Sequence, residues 1–587
     1  MKIRVFATIA CWLAVNVASA SSLSIGPNGI NAAILHTGLE LEGTDIAIGQ
    51  VETGRPGREP NDPNTIYHPD VDPEAIFRYD GSPVASDAQG AVGIHAQNVA
   101  GIMISKNAGS LVGVAPAAKL YASAVPGGFE QDHLRTLDHI ASQNSRDVRA
   151  INLSYGLSLG NDSTDGNSYI TRGLDWLATA YKNSLFVVAG NQGNEVPLPK
   201  DNYNGIIVGA SKLKDDYFRE VSAFNTFDEN PTQSRTAIGL IAPGEGYPVT
   251  MPGGGSSSIP EGTSNAAPHV TGTVALIQEL GERNLDNVGG PHWQSENFRN
   301  HLVSKAVLLN SADKLAGEHG SQRTVVGIGN YDWEGSTAYT DDAQPLDIQF
   351  GAGHLNAFKA VTQMSGGEWD NGSDIPLIGW DFAETGGIGS DFRYTFDDDL
   401  QGGEWIALTL TWDRQLFKTG DEESYTVGDL FTVGDDNGVN NLDLYLMPSG
   451  STDFEAAINL KSIATEQNVE HIFAKVPGTG AYDIVVRQVD GGPGTDTPYG
   501  LAWWFGNPFV AIPGDFNGDG GVDGADLQEW KDGFGTEYDG NDFLVWQRNY
   551  GTGVTPATSI PEPTSVLMLS VLGLVTRCVH RQQRRRR

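Results

Sequence analysis

The chain has 587 residues, 73 of them acidic and 37 basic, and its net charge of −36 at pH 7 argues against nucleic acid as a partner. This length suits about three or four domains, which excludes a single small module. The two cysteines, Cys11 and Cys578, lie near opposite ends of the sequence, so the chain is not a disulfide-stabilised scaffold.

Residues 1–20 form the first segment with a clear pattern. Lys2 and Arg4 precede an apolar stretch, and the small residues at 18–20 form a cleavage site, which is typical of a secretory signal peptide. We therefore expect export and a mature chain that starts near Ser21. Processing would leave no cysteine outside the C-terminal tail.

Glu52 follows a short apolar run at 46–51 that predicts a strand. A carboxylate at this place can accept a hydrogen bond from one imidazole nitrogen, fix the tautomer of the ring and stabilise its protonated form. Glu52 is therefore the candidate for the acid of a catalytic site.

His95 stands at the start of a second apolar pattern, which predicts a helix. Imidazole is the side chain that titrates closest to neutral pH, so it suits the role of a general base. We predict that His95 accepts the proton of a nucleophile and that Glu52 orients its ring.

Ser154, Tyr155 and Gly156 follow a predicted buried strand at 150–153. An extended peptide can pair with such a segment as an added strand, through main-chain hydrogen bonds. The three residues are candidates for substrate binding. A plain core strand that ends in a turn explains the same pattern equally well.

Asn191 comes directly after a β-branched run at 185–189 and Gly190. Its side-chain amide can donate to the oxygen that becomes negative in a tetrahedral intermediate, together with the backbone N–H of Ser264. We predict Asn191 as the oxyanion donor and Gly190 as a further substrate-binding residue.

Ser264 is the candidate nucleophile. It lies between Gly262 and an apolar helical pattern, so the positive end of a helix adjoins its hydroxyl, and Pro268 fits because it falls in the first turn. Alone, a serine here is usually a helix cap, and a lone histidine, glutamate or asparagine at the other positions is usually structural. Four such motifs in one chain favour a catalytic site.

The run Gly262-Thr263-Ser264-Asn265-Ala266-Ala267-Pro268-His269-Val270 resembles, at every fixed position, the G-T-S-x-A-x-P-H-V motif of the subtilisin-like serine peptidases, the S8 or subtilase family. The order acid, histidine, serine is also the order in that family. The resemblance covers about residues 40–365. It implies a serine endopeptidase with Ser264 as nucleophile, His95 as base, Glu52 as orienting acid and Asn191 as oxyanion donor.

Two departures from the family pattern concern the acid and the residues after the histidine. Glu52 stands where the family has the aspartate of D-T-G, and residues 96–98 replace the Gly, Thr and His of H-G-T-H-V-A-G. The longer acid would misplace the base by about 1 Å unless the strand end moves, and that can cost about a hundredfold in rate. A subtilase fold without activity, serving as a surface binding or adhesion protein, is the alternative.

Apolar runs and helical patterns alternate along the rest of this region. The runs lie at 46–51, 120–124, 150–153, 185–189, 206–210 and 240–242, and the clearest helical patterns lie at 132–144 and 170–182. This alternation predicts an α/β fold, a parallel sheet with helices on both faces, in a peptidase domain at 21–365. Catalytic groups would lie at the carboxyl ends of its strands.

Residues 366–510 change to strand patterns at hairpin spacing, with Gly, Asp and Pro in the turns. They predict an antiparallel β-sandwich. The pattern is similar to the jelly-roll or prepeptidase C-terminal domains of secreted peptidases. Its role would be stability, substrate delivery or adhesion.

A predicted calcium loop lies in the next segment, 511–555. Oxygen ligands occur at loop positions 1, 3, 5, 7, 9 and 12, and the ligand set is Asp515, Asn517, Asp519, Gly521, Asp523 and Asp526. The loop resembles that of dockerins, which implies structural calcium, a small α-helical module and a cohesin-like or envelope partner. Further calcium sites in the peptidase domain would explain part of the acidic charge, and solubility explains most of it.

The last segment, 556–587, has Pro561-Glu562-Pro563, an apolar run at 565–575 and six arginines after it. It resembles a PEP-CTERM sorting tail, which implies transient membrane anchoring, cleavage and release to the envelope or exterior of a bacterium. A poor permanent anchor is the alternative. Together, the segments predict a secreted or envelope-attached serine endopeptidase that acts on proteins or peptides.

Overall fold

A computed structural model divides the chain into two compact units, Met1–Phe509 and Val510–Arg587. The predicted signal peptide, the C-terminal tail, Asn191 and five of the six predicted calcium ligands lie outside the described residues. The residues that the structure describes are 24–26, 29–57, 70–77, 92–106, 111–125, 130–157, 165–190, 199–214, 218–221, 235–252, 254, 256–258, 262–287, 292–293, 295–315, 324–434, 438–490, 496–506, 522, 524–534, 543–544, 546–547 and 550.

A nine-stranded sheet forms the centre of the first part of the larger unit. In chain order the strands of this part are β1 (Ala47–Glu52), β2 (Ala75–Phe77), β3 (Lys119–Ala124), β4 (Val148–Leu153), β5 (Leu185–Ala189), β6 (Ile206–Lys214), β7 (Phe218–Val221), β8 (Ile238–Pro243), β9 (Pro248–Thr250), β10 (Ser256–Ser258) and β11 (Thr324–Val326). The sheet has the order β11-β7-β6-β5-β4-β1-β3-β2 with β8 beside β6, while β9 and β10 pair separately.

The central strand pairs are parallel, which confirms the predicted parallel sheet. β1 pairs in parallel with β3 and β4, and β4, β5 and β6 continue the parallel order. β7 departs from the prediction because it turns back and pairs antiparallel with β6. β1 ends at Glu52, so the predicted acid is the last residue of the strand and not the residue after it.

Helices of the larger unit cover both faces of the sheet. The helices of this unit include α1 (Ala33–Gly38), α2 (Ile94–Ile104), α3 (Glu130–Ala141), α4 (Tyr169–Ala180), α5 (Thr263–Asn287), α6 (His301–Asn310), α7 (Thr337–Thr340) and α8 (Ala357–Ser365). Alternate strand residues belong to two cores: Ile48 and Val187 pack with α2 and α5, whereas Ile151 and Val188 pack with α3 and α4. Strands buried on both faces therefore read as continuous apolar runs in the sequence.

The helix predicted at 132–144 ends earlier than its pattern suggests. The structure ends α3 at Ala141, and residues Asn144, Ser145 and Arg146 have positive φ values of 48°, 59° and 68°. Such left-handed conformations interrupt a right-handed helix, so the apolar periodicity alone placed the boundary too far along the chain.

Antiparallel sheets follow in the second part of the larger unit, as predicted. The strands are β12 (Asp374–Ile375), β13 (Ile378–Glu384), β14 (Asp391–Phe396), β15 (Trp405–Trp412), β16 (Leu416–Lys418), β17 (Phe431–Val433), β18 (Asn441–Pro448), β19 (Leu460–Ser462), β20 (Val469–Lys475), β21 (Tyr482–Asp490) and β22 (Pro498–Phe505). Two sheets, β12-β14-β21-β18-β19 and β13-β22-β15-β20, enclose an apolar core, and β16 and β17 form a separate hairpin. The described strand pairs of this second part are antiparallel except β12 with β14, which is parallel.

This β-sandwich packs directly on α6 of the first part. Trp504 Nε1 donates to the carbonyl of Asn310 at 3.0 Å, and Thr411 Oγ1 donates to the carbonyl of Leu302 at 2.9 Å. A Cβ added to Gly500 would lie 2.6 Å from backbone atoms of Leu302, so only glycine permits the strand to approach the helix this closely. The two parts therefore share one compact unit.

The smaller unit contains α9 (Gly524–Gly533) among its described residues. Val522 and Asp526 are buried, and the ring of Trp530 lies 4.9 Å from that of Phe543. None of the helices in the described part of the chain combines the length and the apolarity needed to span a membrane.

Candidate active site

The carboxyl edge of the central sheet brings several predicted site residues together. β1 and β4 are parallel neighbours with Val51 opposite Leu153, so Glu52 and Ser154 leave the sheet at the same edge. β5 is the next strand, and Gly190 follows it directly. Because ligands and catalytic groups collect at the carboxyl ends of parallel strands, this edge is the candidate active site.

His95 lies in the first turn of α2 and contacts the predicted acid. Its Nδ1–H donates to Oε2 of Glu52 at 3.2 Å. The Glu52 side chain is 1% exposed and the His95 side chain is 48% exposed, so the acid is buried while the imidazole reaches solvent. The other carboxylate oxygen, Oε1, is buried and has no hydrogen-bond partner among the described residues. His95 is therefore the principal hydrogen-bonding partner of this carboxylate.

The buried carboxylate changes the titration of its neighbours. Burial lowers the pKa of His95, but the hydrogen bond and the negative charge of Glu52 outweigh it, so the pKa is raised above the ordinary imidazole value. Burial, and to a smaller extent the charge of Glu52, also raises the pKa of Tyr155. Glu52 thus stabilises the protonated imidazole, as a general base requires of its acid partner.

Ser264 lies in the first turn of α5, but its hydroxyl bonds elsewhere. Oγ donates to the carbonyl of Ser154 at 3.1 Å, and Oγ of Ser154 donates to the carbonyl of Ser264 at 2.9 Å. Among the residues that the structure describes, no hydrogen bond joins Ser264 to His95. The structure therefore pairs Glu52 with His95 and Ser264 with Ser154. The hydroxyl must turn from Ser154 to give its proton to the base, and such bonds often form only in the substrate complex.

The residues after His95 that depart from the expected motif have structural partners. Gln97 is fully buried and its Oε1 accepts the N–H of Gly57 at 2.9 Å. The carbonyl of Ala96 accepts from Nε2 of Gln50 at 2.9 Å, which connects the first turn of α2 to β1. Sequence reasoning missed Gln50, although a glutamine inside an apolar strand is a usable signal for a buried polar contact.

The carbonyl of Gly190 is a second point that sequence reasoning missed. It accepts from Oγ1 of Thr263 at 2.7 Å and from Nζ of Lys200 at 2.7 Å. Asn191, the predicted oxyanion donor, lies outside the described residues. Gly190 is predicted to bind substrate, and the structure shows its carbonyl occupied by these two donors.

The remaining predicted substrate-binding residues differ in their surroundings. Ser154 is 2% exposed and Tyr155 is 8% exposed, and the phenol oxygen of Tyr155 lies 3.1 Å from Nδ1 of His133. Gly156 is exposed. The structure therefore leaves Gly156 open to solvent and holds the other two by internal contacts.

The predicted calcium loop is described only at its last ligand. Asp526 is fully buried at the start of α9, beside buried Val522, and an inward-facing carboxylate fits the twelfth position of a calcium loop. Within the described ranges, no three His, Cys, Asp or Glu side chains are grouped so that they could hold a metal ion. Calcium at this loop and in the peptidase domain stays a prediction.

Residues 28–330 match the Subtilase family (Peptidase_S8). Subtilisin BL of Lederbergia lenta is 25% identical over 300 residues, which cover 50% of this chain and 95% of the relative. The major intracellular serine protease of Bacillus subtilis (strain 168) is 27% identical over 288 residues, which cover 47% of this chain and 81% of the relative. The solved "Structure of Prenylagaramide maturation protease PagA" has a TM-score of 0.40 and 19% identity, covering 57% of this chain and 99% of that chain.

Proposed function

Because this chain belongs to the subtilase family of serine peptidases, we propose that it is a secreted or envelope-attached endopeptidase with the triad Ser264, His95 and Glu52. The observation that carries the proposal is the 3.2 Å contact between Nδ1 of His95 and the buried Glu52. Ser264 lies in the first turn of α5 at the same edge of the sheet, and two hydrogen bonds join it to Ser154.

The proposed reaction follows from the roles of these groups. Oγ of Ser264 attacks the peptide carbonyl carbon while Nε2 of His95 takes its proton, and Glu52 stabilises the imidazolium. The backbone N–H of Ser264 and the side-chain amide of Asn191 donate to the oxyanion. His95 then gives the proton to the leaving amine, and a water molecule hydrolyses the acyl-enzyme by the same steps.

Glutamate in the acid position is the unusual part of this proposal. β1 keeps a regular register with β3 up to the pair Glu52 and Ala124. The strand end is therefore not displaced there relative to β3, and the extra methylene must be accommodated by the side chain or by the position of α2. The hydrogen bond to His95 and the upward shift of the His95 pKa support glutamate as the orienting acid.

A catalytically inactive scaffold for binding or adhesion is the second candidate function. The observation that favours it is the hydroxyl of Ser264, which donates to Ser154 and not to His95. In that case the fold would present a surface to a partner. The altered residues around His95 would then be changes that accumulated after activity was lost.

A fluorophosphonate probe separates the two candidates. We expect covalent labelling of the folded, calcium-loaded protein at Ser264, and loss of that labelling in Ser264→Ala and in His95→Ala, because the probe reacts only with an activated serine. Labelling of neither the wild-type protein nor any variant would support the scaffold.

The wider function that we propose includes partners and location. Protein or peptide substrates would pair with the segment Ser154 to Gly156. Calcium would be held by the loop 515–526, where the buried Asp526 supplies one ligand, and the dockerin-like module would bind a cohesin-like or envelope partner. The signal peptide and the tail at 556–587 would direct the chain to the envelope or exterior of a bacterium.

A further inference from the structure

Residues 199–205, here called the linking segment, join the catalytic edge of the sheet to the β-sandwich. The segment immediately precedes β6. We propose that the β-sandwich positions the oxyanion side of the active site through this segment, with Lys200 as the positioning residue. The proposal rests on the proposed peptidase function and adds to it a role for the sandwich.

Lys200 makes the contact at the catalytic end. It is 6% exposed, and its Nζ donates to the carbonyl oxygen of Gly190, which also accepts from Thr263. Gly190 precedes the predicted oxyanion donor Asn191, and Thr263 precedes Ser264, whose N–H is the other predicted donor. Because a peptide bond is planar, the direction of the Gly190 carbonyl sets the plane of the bond into Asn191. The carbonyl oxygen of Gly190 therefore connects the two segments that carry the predicted oxyanion donors, Asn191 and Ser264.

Arg414, in the loop after β15 of the sandwich, makes the contact at the other end. Its backbone N–H donates to Oδ1 of Asn204 at 2.7 Å, and its carbonyl accepts from Nδ2 of Asn204 at 3.0 Å. Its guanidinium lies 4.7 Å from the ring centre of Tyr203 and donates to the carbonyl of Gly166 at 2.6 Å. A residue of the sandwich is thus inserted, fully buried, between the linking segment and the start of the α4 region.

The middle of the linking segment is held from three directions. The carbonyl of Tyr203 accepts from Nδ2 of Asn468 in the sandwich at 3.0 Å and from Nζ of Lys305 in α6 at 2.8 Å. Oδ1 of Asp175 in α4 accepts the N–H groups of Tyr203 and Asn204, both at 2.9 Å. Buried polar groups that lose their partners are strongly disfavoured, so these contacts hold the segment in one position.

These contacts form a continuous connection from the sandwich to the carbonyl beside the predicted oxyanion donor. A hydrogen bond from an ammonium group is stronger than one between neutral groups, so Lys200 is the strongest connection at the catalytic end. Of the residues predicted to bind substrate, Ser154, Tyr155 and Gly156 lie on another segment, and the carbonyl of the fourth, Gly190, already accepts from Thr263 and Lys200. Loss of the connection should therefore weaken transition-state stabilisation more than substrate binding.

Steady-state kinetics on the full chain test the proposal. Loss of a whole oxyanion donor lowers turnover by about 10² to 10³. Lys200→Met only loosens the support of such a donor, so it should lower kcat by less than that, about tenfold or more. KM should stay within about twofold. Asn204→Ala removes the side chain that bonds to the main chain of Arg414, which no substitution of Arg414 itself would do, and kcat should fall about threefold. The double variant should fall no further than Lys200→Met, because both act through one carbonyl.

Lys418→Met is the matched control. The Lys418 side chain is also fully buried in the sandwich part, and its Nζ lies 2.8 Å from Asp429, but it belongs to the β16 hairpin and not to the connection. We expect its Tm to fall while kcat stays within about twofold of the wild-type value. A folded Lys200→Met protein with wild-type kcat overturns the proposal, and so does an equal loss of kcat in Lys418→Met.

Hydrogen-exchange mass spectrometry separates this proposal from the peptidase proposal, because it needs no activity. The peptide that spans 185–190 should exchange faster in Lys200→Met and in Asn204→Ala, and its exchange should be unchanged in Lys418→Met. If the wild-type protein is not labelled by fluorophosphonate, the peptidase proposal fails while the exchange still tests the connection. If Lys200→Met does not fold, Asn204→Ala provides the same measurement, and unchanged exchange there refutes the connection.

Discussion

Two histidine–carboxylate pairs in the larger unit combine the same groups in opposite settings. At the catalytic edge, Nδ1 of His95 lies 3.2 Å from Oε2 of Glu52; the acid side chain is 1% exposed and the imidazole 48%. Where α6 meets the sandwich, Nε2 of His301 lies 3.0 Å from Oδ1 of Asp413; here the imidazole is 1% exposed and the acid 19%.

The difference shows what a histidine–carboxylate pair needs in order to act as a base. Nδ1 of His301 lies 2.9 Å from the carbonyl of Lys182, so both of its ring nitrogens are engaged. Nε2 of His95 has no hydrogen bond to any residue that the structure describes, and it remains available to a hydroxyl. The buried acid and the half-exposed imidazole therefore suit proton transfer, whereas the reverse arrangement suits attachment of the sandwich.

Removal of each imidazole gives the largest expected difference. His95→Ala should lower kcat/KM by about 10⁴ or more, because no other described group holds the base position. His301→Ala should keep kcat/KM within about threefold but lower the free energy of unfolding by about 2 kcal/mol, because the carboxylate of Asp413 loses its imidazole donor and the buried ring leaves a cavity. Peptide hydrolysis and urea unfolding measure the two effects. Equal losses of activity in His95→Ala and His301→Ala would contradict the assignment of one pair to catalysis and the other to structure.

The two acids should differ in the same way. Glu52→Gln should lower kcat by about 10² to 10⁴, since a neutral amide neither selects the tautomer nor stabilises the imidazolium. Asp413→Asn should leave kcat within about twofold, because the amide oxygen can still accept from His301. Kinetics with one peptide substrate compare them directly, with circular dichroism as the control for folding. A fully active Glu52→Gln protein would show that another group orients His95.

Glu52→Asp asks whether the chain has adapted to the longer acid. The shorter carboxylate would lie farther from Nδ1 of His95, and a misplacement of about 1 Å can cost about a hundredfold, so we expect kcat to fall about ten- to a hundredfold. A rise in kcat would mean that glutamate is a handicap in this position and not a matched replacement. The unfolding midpoint of the variant serves as the check on its stability.

The pH profile gives the smallest effect. Activity requires neutral His95, and Glu52 raises its pKa, so kcat/KM should rise with pH through a midpoint above the ordinary imidazole value. In Glu52→Gln the midpoint of the residual activity should move to lower pH. The same shift stabilises the folded chain below the unfolded pKa of the imidazole, and this contribution is lost as pH rises through the folded pKa. An unmoved midpoint would contradict the electrostatic role of Glu52.

Local patterns in the sequence were enough to predict the α/β fold with its central parallel sheet. Apolar runs flanked by glycine locate strands that are buried on both faces. Because helical patterns separate these strands, they are expected to be parallel, and their carboxyl ends then lie at one edge of the sheet. This reasoning put Glu52 and Ser154 at a common edge, where the structure has them. The predicted end of α3 failed because left-handed residues such as Asn144 leave no trace in apolar periodicity.

The sequence by itself determined which chemical groups the molecule has and at which strand or helix ends they lie, because residue type and periodicity are local properties. Only the tertiary structure decided how those groups are bonded. The hydroxyl of Ser264 donates to Ser154, Lys200 donates to Gly190, and Arg414 contacts Asn204 across 210 positions of the chain. Such contacts depend on packing between distant segments and on side-chain rotation, and neither has a local signature.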